Sequence, residues 1–382
     1  MATNQKHFSS RNTVCVHEGQ HIGEFQGINT PIYTSTSYGY LDTSERLYPR
    51  YFNIPNQKAV IDKITRLEHA EDGILFSSGM AAVSSVLLSF LGKGDHCIFQ
   101  NGLYGGTLHF VTREFERFGI AFTVLKNNDP ENFRKALRKN TRVIYIESPS
   151  NPLLSIIDLK KIALLSREHQ CVSVIDNTFA SPINQNPIDF GIDVVVHSAT
   201  KYLGGHSDIC AGLTVSGRQY IARIKEVSMS LGGSLNALMC YLLERSMKTL
   251  AIRVEKQNQN AGLIAAFLQD HPQIGRVYYP GLKDHEGHAI AKSQMHGFGG
   301  MLSFELEGQD ITSFQKRLHL IRPSMSLGGI ETIICAPAVT SHRLVSKEQR
   351  AEEGIRDNLL RLSAGIEETE DLLEDLKQAL IQ

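Results

Sequence analysis

No charge of either sign dominates this 382-residue chain: 39 lysines and arginines face 40 aspartates and glutamates. That balance excludes the basic face a nucleic-acid binder needs, and also the polybasic patch of a membrane-surface protein. No stretch of 18 uninterrupted apolar residues occurs, so no membrane span is expected. The opening residues, MATNQKHFSS, lack the apolar core of a secretory signal. Cysteine is sparse. Cys15, Cys97, Cys171, Cys210, Cys240 and Cys335 are scattered, with no C-x-x-C pair and no zinc-type spacing with histidine. They read as reduced, mostly buried thiols of a cytoplasmic protein. There is no Walker A loop, no internal repeat and no low-complexity segment. An apolar content of 42% is enough for a large core, and the length suggests two or three domains.

Three regions differ in texture. Residues 1–55 are rich in Tyr, Ser, Thr, Asn and Pro and show little periodicity. A segment of that kind is expected to dock as an arm on a neighbouring subunit. From residue 56 to about 250, short apolar runs alternate with amphipathic stretches. GILFSS, HCIFQN, AFTVL, TRVIYIES, CVSVIDN, DVVVHSAT and ICAGLTVSG read as strands. NQKAVIDKITRLEHA, MAAVSSVLLSFL, TLHFVTREFERFG, DPENFRKALRKN and DLKKIALLSREHQ read as helices. This rhythm predicts an α/β domain with a mostly parallel sheet covered on both faces. Residues 251–382 carry long helical stretches, a few strands such as GGMLSFELEG and a terminal amphipathic helix, and read as a smaller α/β domain.

Ligands of open α/β sheets bind beyond the carboxyl ends of the strands. The loops at those ends hold Ser77 to Gly79, Asn101 to Gly106, Glu147 to Asn151, Asp176 to Thr178, and Ser198 to Lys201. The SSGMAA helix start offers free N–H groups to a phosphate. Lys201, just past an apolar strand, is placed where partial burial lowers a lysine's pKa and suits it to a Schiff base. Asp176, at the end of VSVID, can hold a ring nitrogen protonated. Lysine, aspartate and phosphate-binding helix start together describe a site for pyridoxal 5'-phosphate, PLP. The cluster His285, Glu286 and His288, with His296 nearby, is H-E-G-H rather than H-E-x-x-H. It reads as a solvated loop, and no metal is expected there.

FSSGMAA (76–82), YGGT (104–107), ESPSNP (147–152), VIDNTFASP (174–182), HSATKYLGGHSD (197–208), YYPGL (278–282), SLGG (326–329) and RLSAGIEETEDLLEDL (361–376) recur in one order. Through them the chain resembles, over nearly its whole length, the Cys/Met-metabolism PLP-dependent enzymes, the trans-sulfuration family. The resemblance implies PLP fold type I and a homotetramer built from tight dimers. It implies Lys201 as the cofactor's covalent partner and proton shuttle, with Asp176 on the pyridine nitrogen. Tyr104 would stack on the ring and serve as an acid toward the leaving group. Gly79, Met80, Ser198 and Thr200 would bind the phosphate, and Tyr48 and Arg50 would reach the neighbour's phosphate. Asn151 would lie near the ring hydroxyl, and Arg361, placed just before a strand, would clamp the substrate α-carboxylate with Ser326 close by.

The chain also departs from the family pattern. The arm reads YPRYFNIPN, keeping only Tyr and Arg of the usual motif. Met325 stands before SLGG, where the cystathionine γ-lyases and γ-synthases carry Glu, and His109 stands where they carry Arg. Both changes predict a less polar pocket. The expected activity is cleavage of carbon–sulfur bonds in small amino-acid substrates, of cystathionine lyase or methionine γ-lyase type, releasing a 2-oxo acid, ammonia and a thiol. The alternative is γ-replacement on an activated homoserine.

Overall fold

Seven strands form the larger sheet: β1 (Asp72–Phe76), β2 (His96–Phe99), β3 (Ala121–Val124), β4 (Thr141–Glu147), β5 (Val172–Asp176), β6 (Val194–His197) and β7 (Gly212–Ser216). The computed structural model of the chain describes residues 10–343 and 346–381. The strands lie in the order β1-β7-β6-β5-β4-β2-β3. Strands β2 to β6 run parallel, and β7 runs antiparallel to both β1 and β6. The central strands are Val- and Ile-rich because both faces are covered. Val194, Val195, Val196, Val174 and Ile175 are all buried. Each such side chain contributes about 1.5–3 kcal/mol by leaving water.

One face packs on the helix Pro55–Glu68 through Val60, Ile64 and Leu67. The other packs on the helix Gly79–Phe90 through Ala82, Val83, Val86 and Leu87. Ser78 caps that second helix, its Oγ accepting from the Ala81 N–H at 3.1 Å. Two helices that periodicity did not separate, Arg218–Leu231 and Ala237–Met247, fill the stretch before the 20-residue helix Leu250–Gln269.

The smaller sheet comprises β8 (Ile274–Tyr278), β9 (Met301–Leu306), β10 (Arg322–Pro323), β11 (Ile333–Cys335) and β12 (Leu359–Ser363), in the order β10-β11-β12-β9-β8. It is antiparallel apart from the β10–β11 pair. Leu360 and Leu362 of β12 pack with Phe304 against Ile264 and Leu268 of the long helix and Leu372 and Leu376 of the last one.

Three readings need correction. Arg361 is not before a strand but in the middle of β12, and the alternation of the strand turns it away from the Leu360–Leu362 face. Within the first 55 residues, 11–17 form a helix, Arg11–His17, whose Val14 and Cys15 are buried with Val60 and Ile64; residues 1–9 lie outside the described residues. The H-E-G-H loop becomes helical at His288, whose ring packs 5.6 Å from Phe298 and whose Nδ1 bonds the Pro280 carbonyl at 2.8 Å. His288 is thus a packed residue, not a solvated one. Among the described residues no helix is long and apolar enough to cross a membrane, and no cluster of His, Cys, Asp and Glu has a metal-binding arrangement.

Candidate active site

The ends of β4, β5 and β6, the start of the helix Gly79–Phe90 and strand β12 surround one cavity of about 780 Å³. Lys201, Asp176, Tyr104, Asn151 and Arg361 line it, as do Gly79, Met80, Ser198 and Thr200. Ser326, Met325 and His109 form its outer wall. Tyr48 and Arg50 do not line it. Arg50 bonds the Met229 carbonyl at 2.5 Å and lies 5.7 Å from each of the Tyr48 and Tyr51 rings, at a surface where both tyrosines are exposed.

Lys201 Nζ donates to Ser326 Oγ at 2.7 Å. Burial, with the Arg361 guanidinium nearby, brings its ammonium down to about 8. A lysine so placed holds about a tenth of its amine free at pH 7, far more than an exposed lysine does. Arg361 is itself fixed: Nη1 donates to Asn151 Oδ1 and Nη2 to the Ser326 carbonyl, each at 2.8 Å. Its Nε is buried without a partner. A guanidinium has five N–H donors, so this one keeps capacity for a carboxylate. Ser326 takes a positive φ of 86°, which presents its carbonyl to Arg361 and its hydroxyl to Lys201.

Asp176 and Glu147 are neighbours in the β4–β5 register. Burial pushes both carboxyls up, and Asp176 pushes Glu147 further, so Glu147 holds the proton of the pair. Thr178, His197 and Lys201 pull Asp176 back toward its anion, the Thr178 N–H donating to its Oδ1 at 3.0 Å. Tyr104 caps the helix Gly105–Phe118, and its phenol is raised by burial and by the nearby Asp176 carboxylate. It therefore stays protonated at neutral pH.

The residues fit PLP. A buried Asp with a raised carboxyl gains from a protonated ring nitrogen beside it. The helix start at Gly79 lies so close to the β6 loop that a Cβ there would meet Ser198 Cβ at 2.8 Å, so only glycine admits this approach. Around it stand the free helix N–H groups and the Ser198 hydroxyl, donors suited to a phosphate, with Thr200, whose hydroxyl donates to the Ala211 carbonyl at 3.2 Å, beside them. Thr178 and Ala211 fix this edge, through the Ser198 N–H to Thr178 Oγ1 at 2.8 Å and the Ala211 N–H to Thr200 Oγ1 at 3.1 Å.

Comparison with known proteins is decisive on the family. The Cys/Met metabolism PLP-dependent enzyme model matches residues 12–381. The chain belongs to that family. It is a PLP-dependent enzyme of fold type I, with family-level lyase or transferase chemistry on sulfur amino acids. A cystathionine beta-lyase of Lactococcus lactis subsp. cremoris is 41% identical over 378 residues, spanning 97% of this chain and 99% of that protein. A cystathionine gamma-lyase of Bacillus subtilis is 41% identical over 376 residues, spanning 97% and 99%. The crystal structure of cystathionine gamma synthase from Xanthomonas oryzae pv. oryzae in complex with cystathionine superposes with a TM-score of 0.94 at 35% identity, covering 98% of each chain.

Three further cavity residues of this family member escaped the sequence reading. Glu147 was visible as a strand-end residue but had no role. Cys210 is exposed on the cavity wall, the exception among cysteines that are otherwise buried; its polar neighbours in HSDIC were the available signal. Arg343 also lines the cavity, from a stretch without any motif. It adds a guanidinium to the cavity that Met325 and His109 also line.

Proposed function

We propose that the chain is a PLP-dependent carbon–sulfur lyase that breaks down a sulfur amino acid to a 2-oxo acid, ammonia and a thiol. The observation that carries this reading is the placement of Lys201, Asp176 and Arg361 around one cavity, with a lysine amine held near 8. When bound, PLP supplies an electron sink for the charge left at Cα after proton loss. The chain's residues do the rest. Lys201, whose Nζ lies in the cavity beside Ser326, would hold the cofactor through its amine and would serve as the base for the Cα proton. Asp176 would keep the ring nitrogen protonated. Arg361 binds the α-carboxylate and so fixes which bond at Cα faces Lys201. Asn151, which accepts from Arg361 Nη1, would contact the ring hydroxyl. Gly79, Met80, Ser198 and Thr200 hold the phosphate. Tyr104 would pack on the ring, and its phenol, raised by burial, would supply a proton to the departing sulfur.

Tyr48 and Arg50 act in a neighbouring subunit's site, within a homotetramer built as a dimer of dimers. Their distance from their own chain's cavity and the exposed Phe25, Ile28, Tyr40 and Leu41 of the arm support this.

A second reading, γ-replacement, draws on the likeness to the γ-synthase structure. Met325 at the cavity mouth, in place of the Glu of that subgroup, favours the lyase. Lys201→Ala tests the core assignment: it should abolish both the visible absorbance of lysine-bound PLP and turnover. A fully active variant would sink the reading.

A further inference from the structure

A second set of buried polar residues lies directly beneath the site without lining it. Glu147, Asp176 and Ser198 reach the cavity from the ends of β4, β5 and β6. Just past the first two strands Asn177, by its side chain, and Ser148, by its backbone carbonyl, and just before Ser198 the side chain of His197, belong to a different network. Side chains alternate across a sheet, so one step along a strand changes the face.

Glu68, the last residue of the helix Pro55–Glu68, is the hub. Its Oε1 lies 2.5 Å from His197 Nε2 and accepts from Asn177 Nδ2 at 2.9 Å. Asn177 Nδ2 also donates to the Gln185 carbonyl at 3.0 Å. Gln185 Nε2 returns a bond to Asn177 Oδ1 at 2.9 Å and donates to the Ser148 carbonyl at 2.8 Å. Glu68, Asn177, Gln185 and Ser148 are fully buried, and His197 is 1% exposed. Glu68 Oε2 is buried with no partner at all.

Such a network is a poor way to gain stability. A buried carboxylate–imidazole pair loses its hydration, and replacing both members by apolar side chains of similar volume is often neutral or better. An unsatisfied Glu68 oxygen adds to the loss. What the network does achieve is geometric: it ties the ends of three adjacent strands to one another and to a helix, at the three points where the site residues emerge. We propose that Glu68, His197, Asn177 and Gln185 are positioning residues, a polar brace on the far face of the sheet that sets the spacing of Glu147, Asp176 and Ser198 around the cofactor.

The proposal rests on the PLP reading, so wild-type enzyme is first shown to bind PLP and release a 2-oxo acid; failure there overturns that reading and not the brace. Three variants then probe it: Glu68→Gln, Glu68→Leu with His197→Leu, and Gln185→Leu, which cuts the Ser148–Asn177 link without touching a titratable group. For each, the melting temperature, the absorbance maximum of bound PLP, kcat and KM are measured. The expected result is a folded, PLP-loaded protein whose kcat falls roughly ten- to a hundredfold, the loss that small displacements of a reacting group produce. KM should move less than kcat, because Arg361 keeps its bond to the Ser326 carbonyl outside the network, and the absorbance maximum should move. The double leucine variant should regain stability over Glu68→Gln without regaining kcat. Any folded variant with wild-type kcat and an unmoved absorbance maximum overturns the brace.

Discussion

The backbone N–H of Tyr104 donates to both carboxyl oxygens of Glu147, at 2.9 and 3.0 Å. The helix Gly105–Phe118 starts at this bond, and with it the position of the Tyr104 ring over the cavity is set. Glu147 is held in turn by its own N–H, which donates to Gln100 Oε1 at 2.7 Å.

Glu147→Ala removes the acceptor and should lower kcat/KM about tenfold, the cost of a charge-adjacent hydrogen bond lost at a buried site. Glu147→Gln should keep kcat/KM within about threefold, since a neutral side chain of the same shape matches the protonated Glu. Steady-state kinetics on both variants check this. Equal losses in the two would contradict the positioning of Tyr104 by an acceptor oxygen.

Arg361→Ala should raise KM at least tenfold for every amino-acid substrate, and Arg361→Lys should not restore it, because lysine cannot make the forked contact. The same change has a pH consequence. Arg361 is a positive neighbour that disfavours the charged form of Lys201, whose amine titrates at about 8. Its removal should move that midpoint upward. The rate of PLP capture by cofactor-free protein, which needs the neutral amine, should rise with pH to a plateau above about 8 in the wild type and at higher pH in the variant. An unchanged midpoint or a downward shift would contradict the coupling.

Met325 is exposed, and it lines the cavity that Arg343 also lines. Met325→Glu should shift relative kcat/KM toward cystathionine, by adding a carboxylate for the distal ammonium group. Competition assays between L-cystathionine and L-methionine measure it, and an unmoved ratio would leave the pocket argument unsupported.

The placement of Arg50 outside its own cavity gives a mixing test. Chains carrying Lys201→Ala and chains carrying Arg50→Ala, each impaired alone, should recover activity when co-assembled. One site of a mixed dimer then has Lys201 from one subunit and Arg50 from the other. Activity no higher than that of the Arg50→Ala protein alone would place Arg50 in a purely structural role.

The strand ends and their residues were legible because buried parallel strands write themselves as Val and Ile runs, and the residues just after each run must sit at the rim. Lys201 and Asp176 fall at such ends. Arg361 was legible as a residue but not as a strand position: β12 is short, and its one arginine interrupts an apolar alternation. The helix Arg11–His17 was hidden because it buries only Val14 and Cys15, too few positions to show a period. Arg343 and the partnership of Glu68 with His197, 129 residues away, depend on tertiary placement, and no local pattern encodes either.

The most direct measurement is 2-oxo acid release by PLP-loaded enzyme from L-cystathionine, with L-methionine in parallel and no second nucleophile added. The account predicts a 2-oxo acid with stoichiometric ammonia and thiol, abolished by Lys201→Ala. Pyruvate would identify cleavage at Cβ and 2-oxobutyrate cleavage at Cγ. No 2-oxo acid from either substrate, with product appearing only when a thiol and an activated homoserine are supplied, would contradict the lyase assignment and establish γ-replacement instead.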